Sequence, residues 1–473
     1  MKSFVAGRWI EGDRVCVVTN PFDHSTIDTV PNASANDAEA AIVMAVKGAA
    51  VMRAMPGWKR GEILRRASST LLERINTIAN QLSMEEGKPL AESLMEVTRA
   101  ANVLLLSAEE ACRIGGEVLP MDGASNGGGT FGFTLRVPCG VVVAITPFNF
   151  PLNLPCHKVG PALVSGNAVI LKPASDTPLS AIAFVEVLLD SGCPPEAISC
   201  LTGSGKSLGG FLVSDKRVRK VSFTGSHEVG ERIVCAAGLK RITMELGSNA
   251  PLVVLHDADL DLVAQAIVAT GYANAGQVCI SAQRIIAVDG IYADLIDRVT
   301  RLVRELKTGN PFDPSVCIGP MIRSSDAERV ATSIRDAVSQ GARVTCGGSH
   351  AGALHEPTVV VDVKMGMTLE REELFGPAVA FLRASDTAEA VQMANATRYG
   401  LAASLFTRDI SQAMHFVQNV DAGNLHINWG PQWRADFMPY GGLKESGIGK
   451  EGPKYTMLEM TESKTVIFHG IQK

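Results

Sequence analysis

One cysteine of the chain, Cys279 in the stretch "GYANAGQVCISAQR" (271–284), has the surroundings expected of a nucleophile. It follows Gly276 and Gln277, so the sequence places it at a turn after a helical stretch and outside any apolar run. A thiolate attacks carbonyl carbons, and backbone amides left free near a helix end can hold the oxyanion that forms. The alternative is a small buried hydrophobe, which is the commoner role of an arbitrary cysteine.

Two polar residues could assist such a nucleophile. Glu245 in "TMELGSNAP" ends an apolar, strand-like run just before Gly247, and a carboxylate turned into a cleft there would have a raised pKa suited to general-base work. Asn149 in "TPFNFP" lies between Pro147 and Pro151, which stiffen the loop, so its amide could donate to an oxyanion. The alternatives are a solvated strand end for the glutamate and an ordinary turn residue for the asparagine.

Three short segments are candidates for binding a phosphate-bearing ligand. "FTGSHEVG" places Gly225 and Ser226 at a strand-to-helix junction, where free N–H groups suit a pyrophosphate, although Ser226 is also a good N-cap in any protein. Lys172 in "LKPAS" follows another strand and could meet ribose hydroxyls or a phosphate, or remain a solvated lysine. "GSGKSLGG" is Gly-rich, but it does not match the usual dinucleotide fingerprint.

The elements that must position these residues follow an α/β pattern. Residues 37–115 carry apolar residues at helical spacing, and the Gly-rich stretch after them predicts a hairpin that leaves the main body. From Gly140, short apolar runs alternate with helical segments, which predicts a parallel sheet covered on both faces, with ligands at the carboxyl ends of its strands. A second α/β unit begins near Pro251, with Asp257 or Asp259 as a helix cap. The terminal β run is of the kind that often pairs with another chain.

Composition narrows the class of protein. A chain of 473 residues is too long for one hydrophobic core, so we expect two or three domains. The net charge of −5 argues against nucleic acid as the main partner. None of the ten cysteines has C-x-x-C spacing, so no metal site is expected, and the thiols are typical of a reduced, cytoplasmic protein. Neither a signal peptide nor an apolar run of membrane-spanning length is apparent, so we expect a soluble protein without a membrane partner.

Seven stretches, in this order and spacing, resemble those of the NAD(P)-dependent aldehyde dehydrogenase superfamily: "TPFNFP", "GNAVILKPAS", "VSFTGS", "MELGSNAP", "GQVCISAQR", "EELFGPAV" and "MPYGGLKESGIGKEG". The resemblance spans essentially the whole chain. It implies a Rossmann-like cofactor domain, an α/β catalytic domain, a small β oligomerisation arm, and a homodimer or homotetramer. The implied boundaries are 1–116 and 138–246 for the cofactor-binding domain, 247–453 for the catalytic domain, and 117–137 with 454–473 for the arm.

The resemblance also implies roles for the three candidate residues. Cys279 would attack an aldehyde to give a thiohemiacetal, whose oxyanion would be held by the Asn149 side chain and the Cys279 backbone N–H. Hydride loss would leave a thioester, and Glu245 would activate the water that hydrolyses it.

A nicotinamide cofactor, NAD or NADP, is implied as well. Lys172 would meet the adenine ribose, Ser226 the pyrophosphate, and Glu373 with Phe375 the nicotinamide half. The complete set of implied cofactor contacts is Thr146, Pro147, Phe148, Lys172, Ser175, Gly205, Gly209, Phe223, Gly225, Ser226, Gly247, Glu373 and Phe375. Many NAD-preferring members carry a glutamate three residues after the lysine of "LKPAS", where this chain has Ser175. Because serine does not repel a 2′-phosphate, we expect NADP to be accepted and leave NAD open.

The chain looks most like the lactaldehyde, phosphonoacetaldehyde and sulfolactaldehyde dehydrogenase-like branch. We therefore expect a short, polar or anionic aldehyde, with Arg99, His157 and Arg434 at the pocket entrance and Asn428 shaping the catalytic centre. A surface charge and a structural histidine are equally good interpretations of Arg99 and His157. Some relatives that bind phosphorylated groups place an arginine directly before the cysteine, where this chain has Val278. That difference argues against the most strongly anionic substrates.

Two other functions are weighed against this one. A CoA-acylating dehydrogenase would pass the acyl group to CoA, but such relatives usually lack the glutamate of "MELGS", which is present here as Glu245. A non-catalytic binding or structural protein could keep the fold, yet it would need none of Cys279, Glu245 and Asn149.

Overall fold

The computed structural model describes residues 1–12 and 14–470. The helices in this part of the chain are α1 Ala35–Ala54, α2 Gly57–Glu73, α3 Ile75–Glu86, α4 Leu90–Glu110, α5 Asn153–Val164, α6 Leu179–Asp190, α7 Gly205–Ser214, α8 His227–Ala237, α9 Leu260–Gly271, α10 Tyr292–Val303, α11 Ser324–Ser339, α12 Thr368–Arg371, α13 Thr387–Asn395, α14 Ile410–Asn419 and α15 Pro453–Glu459. The strands are β1 Ser3–Val5, β2 Arg8–Ile10, β3 Val15–Thr19, β4 Thr26–Pro31, β5 Val118–Leu119, β6 Thr130–Pro138, β7 Val141–Ile145, β8 Ala168–Lys172, β9 Ile198–Cys200, β10 Val218–Thr224, β11 Arg241–Glu245, β12 Pro251–Val254, β13 Arg284–Val288, β14 Arg343–Cys346, β15 His350–Ala351, β16 Leu354–His355, β17 Thr358–Val361, β18 Ala378–Ala384, β19 Ala402–Phe406, β20 Asn424–Ile427, β21 Gly447–Ile448 and β22 Thr461–His469.

The first sheet has the strand order β21–β11–β10–β7–β8–β9, and its neighbouring pairs are parallel except β11–β21. Alternate residues of β7 enter two different cores: Val142 and Ala144 pack on one face, and Val141 and Val143 on the other. The predicted parallel sheet with two covered faces is confirmed. Its strand order reverses between β7 and β10, which is where open parallel sheets bind ligands at their carboxyl ends.

The second sheet follows the order β14–β17–β18–β13–β12–β19–β20, with only β14–β17 antiparallel. It confirms the second α/β unit. The carboxylate of Asp259 accepts from the first-turn amides of α9 and caps that helix. Asp257 does not cap it, because its carboxylate accepts instead from the hydroxyl of Thr407 and the amide of Arg408.

A third sheet, β22–β6–β5, is antiparallel. The predicted hairpin is confirmed by the pairing of β5 with β6, in which Val118 lies opposite Phe133. The terminal strand β22 pairs with β6 of its own chain, with Thr461 opposite Pro138. Its other edge has no partner strand within the described residues, so its pairing with a second chain stays a prediction.

Two short segments pack against the first α/β unit, although the domain boundaries implied by the resemblance assign them to other parts of the chain. Strand β21, within the range 247–453 that the resemblance implies for the catalytic domain, pairs with β11 of the first sheet. Helix α15, at the start of the implied arm, packs on α5, and Met457 and Met460 are buried in the core of the first unit. Of the predicted range 454–473, residues 471–473 lie outside the described residues.

The N-terminal region divides into a predicted and an unpredicted part. Helices α1 to α4 confirm the helical assignment of 37–115, whereas strands β1 to β4 before them were not predicted. In the part of the chain that the structure describes, no helix combines the length and the apolar character needed to cross a bilayer.

Candidate functional site

A cavity of about 1360 Å³ lies at the carboxyl edge of the first sheet and extends to the loop that carries the cysteine. The loops after β7, β8, β10 and β11 form one side of its wall. Cys279, Glu245 and Asn149 all line it. These three residues lie far apart in sequence. Asn149 follows β7 and Glu245 ends β11, and because both strands belong to the first sheet, the two side chains reach the same cavity.

The turn before Cys279 has an unusual backbone. Asn274, Ala275 and Gly276 are three consecutive residues with positive φ, at 51°, 52° and 69°. The first two are not glycine, so the surroundings must hold them in a conformation that L-residues avoid. At Gly276, a Cβ atom would lie 2.1 Å from the carbonyl oxygen of Gly376, so this position admits only glycine.

A buried charged cluster at the α3–α4 junction holds this turn. The Glu92 carboxylate accepts from the Asn274 amide at 3.0 Å, and Glu86 accepts from the Asn274 side chain at 2.9 Å. Lys88 donates to Glu96 at 2.7 Å and also to the backbone carbonyl of Asn149 at 2.7 Å. Burial raises the pKa of Glu86 to about 8, although the Lys88 ammonium opposes that rise. The cluster therefore connects the helical region to both the Asn149 loop and the cysteine turn.

The Asn149 side chain is fixed against the same turn. Its Nδ2 donates to the carbonyl of Gln277 at 2.7 Å, and the Gln277 side chain in turn accepts from the Ile322 amide at 2.9 Å. One N–H of an amide group satisfies that bond, which leaves the second for another acceptor. The backbone N–H of Cys279 donates to no acceptor among the described residues. Two donors are thus available beside the sulfur.

Cys279 itself is partly exposed to the cavity, and its Sγ lies 3.3 Å from the hydroxyl oxygen of Tyr440. Enclosure by the cavity walls raises the pKa of the thiol to about 12, and the contact with Tyr440 opposes that rise. The carboxyls of Glu373 and Glu245 also raise it, while Arg434 lowers it. The resting sulfur is therefore a protonated thiol that needs activation before it can attack a carbonyl.

Glu245 is buried, and neither of its carboxyl oxygens accepts a hydrogen bond from the described residues. Burial, and then the charge of Glu451, hold its pKa well above the usual range. Glu451 is the charged member of this pair. Although burial acts to raise its pKa, Lys158 at 2.5 Å and Arg434 at 3.7 Å bring it down to about 2. Two buried carboxyls with opposite shifts are typical of acid–base sites.

The structure brings all the residues predicted to bind the cofactor to the wall of this cavity: Thr146, Pro147, Phe148, Lys172, Ser175, Gly205, Gly209, Phe223, Gly225, Ser226, Gly247, Glu373 and Phe375. Ser226 is the N-cap residue of α8, and in the described structure its hydroxyl accepts no bond from the first turn. The Ser226 hydroxyl thus leaves the first-turn amides of α8 to other acceptors, and the Glu228 carboxyl beside them also lines the cavity. A Cβ at Gly247 would lie 2.4 Å from Glu373 Oε2, so glycine there lets the Glu373 carboxyl approach and accept from the Ser248 amide at 3.0 Å.

The four residues predicted to bind substrate divide into two pairs. Arg99 and Arg434 line the cavity. His157 lies behind the wall, fully buried, with Arg434 donating to its Nδ1 at 3.4 Å and Asp436 beside its Nε2. Burial lowers the pKa of His157 to about 4, so it is a neutral structural histidine and not an entrance residue. Asn428 also lies off the wall, because its side-chain oxygen accepts from the Thr407 amide after β19.

Several residues at the site were not singled out from the sequence. Tyr440, Glu451 and Lys158 surround the sulfur and Glu245, and Lys88 with Glu96 supports Asn149. Tyr440 and Glu451 lie within "MPYGGLKESGIGKEG", so that motif was the one available signal for them.

The sequence profile of the aldehyde dehydrogenase family matches residues 9–466. The 3-sulfolactaldehyde dehydrogenase of Priestia aryabhattai is 41% identical over 466 residues, which cover 98% of this chain and 97% of that protein. This relative and the family profile confirm the resemblance inferred from the sequence, including its branch.

Two solved structures share the fold. Aldehyde dehydrogenase 21 from Physcomitrella patens, in complex with the reaction product succinate, superposes with a TM-score of 0.97 at 38% identity, covering 99% of this chain and 98% of that one. The NADP-dependent glyceraldehyde-3-phosphate dehydrogenase from Bacillus halodurans, complexed with NADP, gives a TM-score of 0.97 at 34% identity, covering 99% of each chain. The α/β fold expected from the resemblance is confirmed.

Proposed function

The chain belongs to the aldehyde dehydrogenase family, and we propose that it oxidises a short anionic aldehyde to the carboxylic acid with NAD(P), using Cys279 as nucleophile and Glu245 as general base. One observation carries the proposal: the Cys279 thiol and the buried Glu245 carboxyl line the same cavity at the ligand-binding edge of a Rossmann-like sheet. The Glu245 carboxyl accepts no hydrogen bond from the described residues.

The residues present fit a dinucleotide. The uncapped start of α8 suits a pyrophosphate, Lys172 with Ser175 suits the adenine ribose, and Glu373 with Phe375 would border the nicotinamide half. When bound, the oxidised nicotinamide supplies the acceptor for the hydride that leaves the former aldehyde carbon.

The cysteine and its neighbours perform the first half of the reaction. The thiol proton passes to water in the cavity, and the sulfur forms a bond to the aldehyde carbon while the carbonyl oxygen becomes an oxyanion. The Asn149 side-chain N–H and the Cys279 backbone N–H donate to this oxyanion. When hydride has left, the carbonyl re-forms as a thioester on Cys279.

Glu245 performs the second half. It takes a proton from water as the water oxygen bonds to the thioester carbon, and the C–S bond breaks to release the thiolate and the acid. Its carboxyl oxygens accept no hydrogen bond from the described residues, so no protein donor competes with the proton transfer. A CoA-acylating enzyme has no use for such a base, and assaying whether product forms as free acid or as acyl-CoA separates the two activities.

Two arginines support an anionic substrate. The Arg434 side chain lines the cavity and is 7% exposed, and its Nε donates to none of the described residues, so its positive charge is placed to attract an anion in the cavity. Arg99 also lines the cavity and is held by Asp436 at 2.7 Å. A relative named for 3-sulfolactaldehyde and one crystallised with succinate both handle short anions, in agreement with this class. Equal kcat/KM for short anionic and long aliphatic aldehydes would contradict it.

We further propose that NADP is accepted. Ser175 donates its hydroxyl to the Gly203 carbonyl at 2.9 Å and brings no negative charge near Lys172. Ser175→Glu should lower kcat/KM for NADP while leaving that for NAD within a few-fold. If NADP supports no turnover in the wild-type protein, this part of the proposal fails.

Assembly and location are also proposed. The edge of β22 that has no partner strand among the described residues would pair with a second copy, giving a homodimer or homotetramer, which sedimentation velocity measures directly. All ten cysteines lie in the described part of the chain and are free thiols, which favours the cytoplasm.

Replacement of Cys279 tests the whole function. Cys279→Ala should abolish aldehyde-dependent reduction of the cofactor, whereas the exposed Cys317→Ala should leave it unchanged. Full activity in Cys279→Ala would refute the proposal.

A further inference from the structure

The hydroxyl of Tyr440 is held against the candidate nucleophile. Its oxygen lies 3.3 Å from Cys279 Sγ, and the side chain is almost completely buried. The backbone of Tyr440 exchanges two hydrogen bonds with that of Glu451, at 3.0 and 2.6 Å. The Arg434 guanidinium packs over the phenol ring at 3.9 Å from its centroid. Backbone and ring are thus both fixed, which aims the hydroxyl at the sulfur.

The sulfur is also the one partner that this hydroxyl has among the described residues. A buried phenol O–H group usually has a hydrogen-bond partner, so the contact with Cys279 satisfies the tyrosine hydroxyl as well as the thiol. A phenylalanine here would fill the same space without that contact.

The charges around the pair favour a donating hydroxyl. The carboxyls of Glu373 and Glu245 face the sulfur and, when ionised, disfavour its thiolate form, while Arg434 favours that form. The groups that face Tyr440 are Cys279, Arg434 and Glu245. A guanidinium on the ring face draws electron density from the phenol and makes its O–H a stronger donor. A donor to sulfur is the contact that offsets the two carboxyls.

We propose that the Tyr440 hydroxyl donates a hydrogen bond to Cys279 Sγ and stabilises the thiolate in both its attack on the aldehyde and its release from the thioester; this role rests on the proposed function of Cys279. Tyr440 keeps its own proton throughout. The thiol proton goes to cavity water, and the sulfur lone pair forms the C–S bond. In hydrolysis the same bond breaks and its electron pair returns to the sulfur, under the same hydroxyl.

Alkylation of the thiol tests this directly. Wild-type protein and Tyr440→Phe are treated with iodoacetamide between pH 6 and 10, and the peptide that contains Cys279 is quantified by mass spectrometry. Because the pKa of the Cys279 thiol is about 12, only a small fraction is ionised between pH 6 and 10, and the alkylation rate at each pH follows that fraction. Hydrogen bonds to charged groups are worth roughly 10- to 100-fold, so the rate at each pH should fall at least ~10-fold in the variant. Exposed Cys317 serves as the internal reference in each sample.

Two further variants separate the hydroxyl from the ring and from folding. Tyr440→Leu also lacks the hydroxyl and should show the same fall in alkylation rate. Tyr455→Phe removes a hydroxyl from α15, away from the cavity wall, and should match the wild type. Binding of NADPH, followed by its fluorescence, verifies that each variant is folded.

The outcomes distinguish this inference from the proposed function. If the alkylation rate of Cys279 is unchanged in Tyr440→Phe, or rises because S–H was the donor, the inference is wrong even where Cys279→Ala is inactive. If Cys279→Ala keeps its activity, the proposed function fails whatever the alkylation rates are.

Discussion

Lys88 should be among the costliest single residues to replace, because it is the cation of a buried acidic cluster. Lys88 and Glu96 are each about 1% exposed, and Lys88→Met would leave the Glu96 carboxylate without its 2.7 Å partner and remove a donor from the Asn149 carbonyl. Removing one member of a buried ion pair costs about 3–5 kcal/mol. Methionine retains the aliphatic stem of lysine, so lost packing adds little to this cost.

Urea unfolding followed by circular dichroism measures the effect. Lys88→Met should lower the free energy of unfolding by about 3–5 kcal/mol, while Lys454→Met at an exposed position should change it by less than about 0.5 kcal/mol. The double variant Lys88→Met with Glu96→Gln should recover on the order of 2 kcal/mol, because the uncompensated charge is gone and glutamine still accepts from the Leu152 amide. A Lys88→Met protein as stable as the Lys454→Met control would refute this account of the cluster.

Three further outcomes follow from the site. Burial raises the folded-state pKa of Glu86 to about 8, from 4.5 for a free glutamate. Its contribution to stability is therefore present at low pH and is lost as pH rises from 4.5 through 8. Glu86→Gln should gain stability relative to wild type over that range, measured by thermal melts at each pH. Glu245→Gln should lower kcat by about 10²- to 10⁴-fold. It should also abolish the rise of kcat with pH, because the raised pKa of Glu245 means that its ionised, basic form appears only at higher pH. Stopped-flow absorbance would still record cofactor reduction in the first turnover of the variant. Gly247→Ala should displace Glu373 and weaken NADPH binding roughly tenfold, which is the loss expected for one hydrogen bond to a charged group. Fluorescence titration measures this affinity, and an unchanged affinity would contradict the steric argument.

The sheet and much of the site wall could be predicted because their signals are local. The runs that became β7 and β8 are almost wholly apolar, and those that became β10 and β11 mix apolar with polar residues. Because such runs alternate with helical segments, the polar residues at their carboxyl ends must share one edge of a parallel sheet. Glu245 and Ser226 were therefore predicted to lie near this edge from their positions alone. The cavity wall includes both residues.

The support of the site could not be predicted in this way. Lys158 and Glu451 are 293 positions apart, and no periodicity relates them. His157 illustrates the same limit, because burial decides whether a histidine can bind substrate or has only a structural role. Its burial depends on contacts with Arg434 and Asp436, which belong to a loop distant in sequence. The left-handed residues Asn274 and Ala275 carry no signal in their side chains, since the cluster at the α3–α4 junction imposes their conformation.

Covalent chemistry at Cys279 is the central claim, and trapping the acyl group tests it most directly. Glu245→Gln is mixed with NADP and a short aldehyde that the wild type oxidises, quenched in acid, digested and analysed by mass spectrometry. The account predicts that the peptide containing Cys279 gains the mass of the acyl group, in near-stoichiometric amount and only when the cofactor is present. Turnover by the wild type with no adduct on that peptide in the variant, or an adduct on another residue, would contradict it.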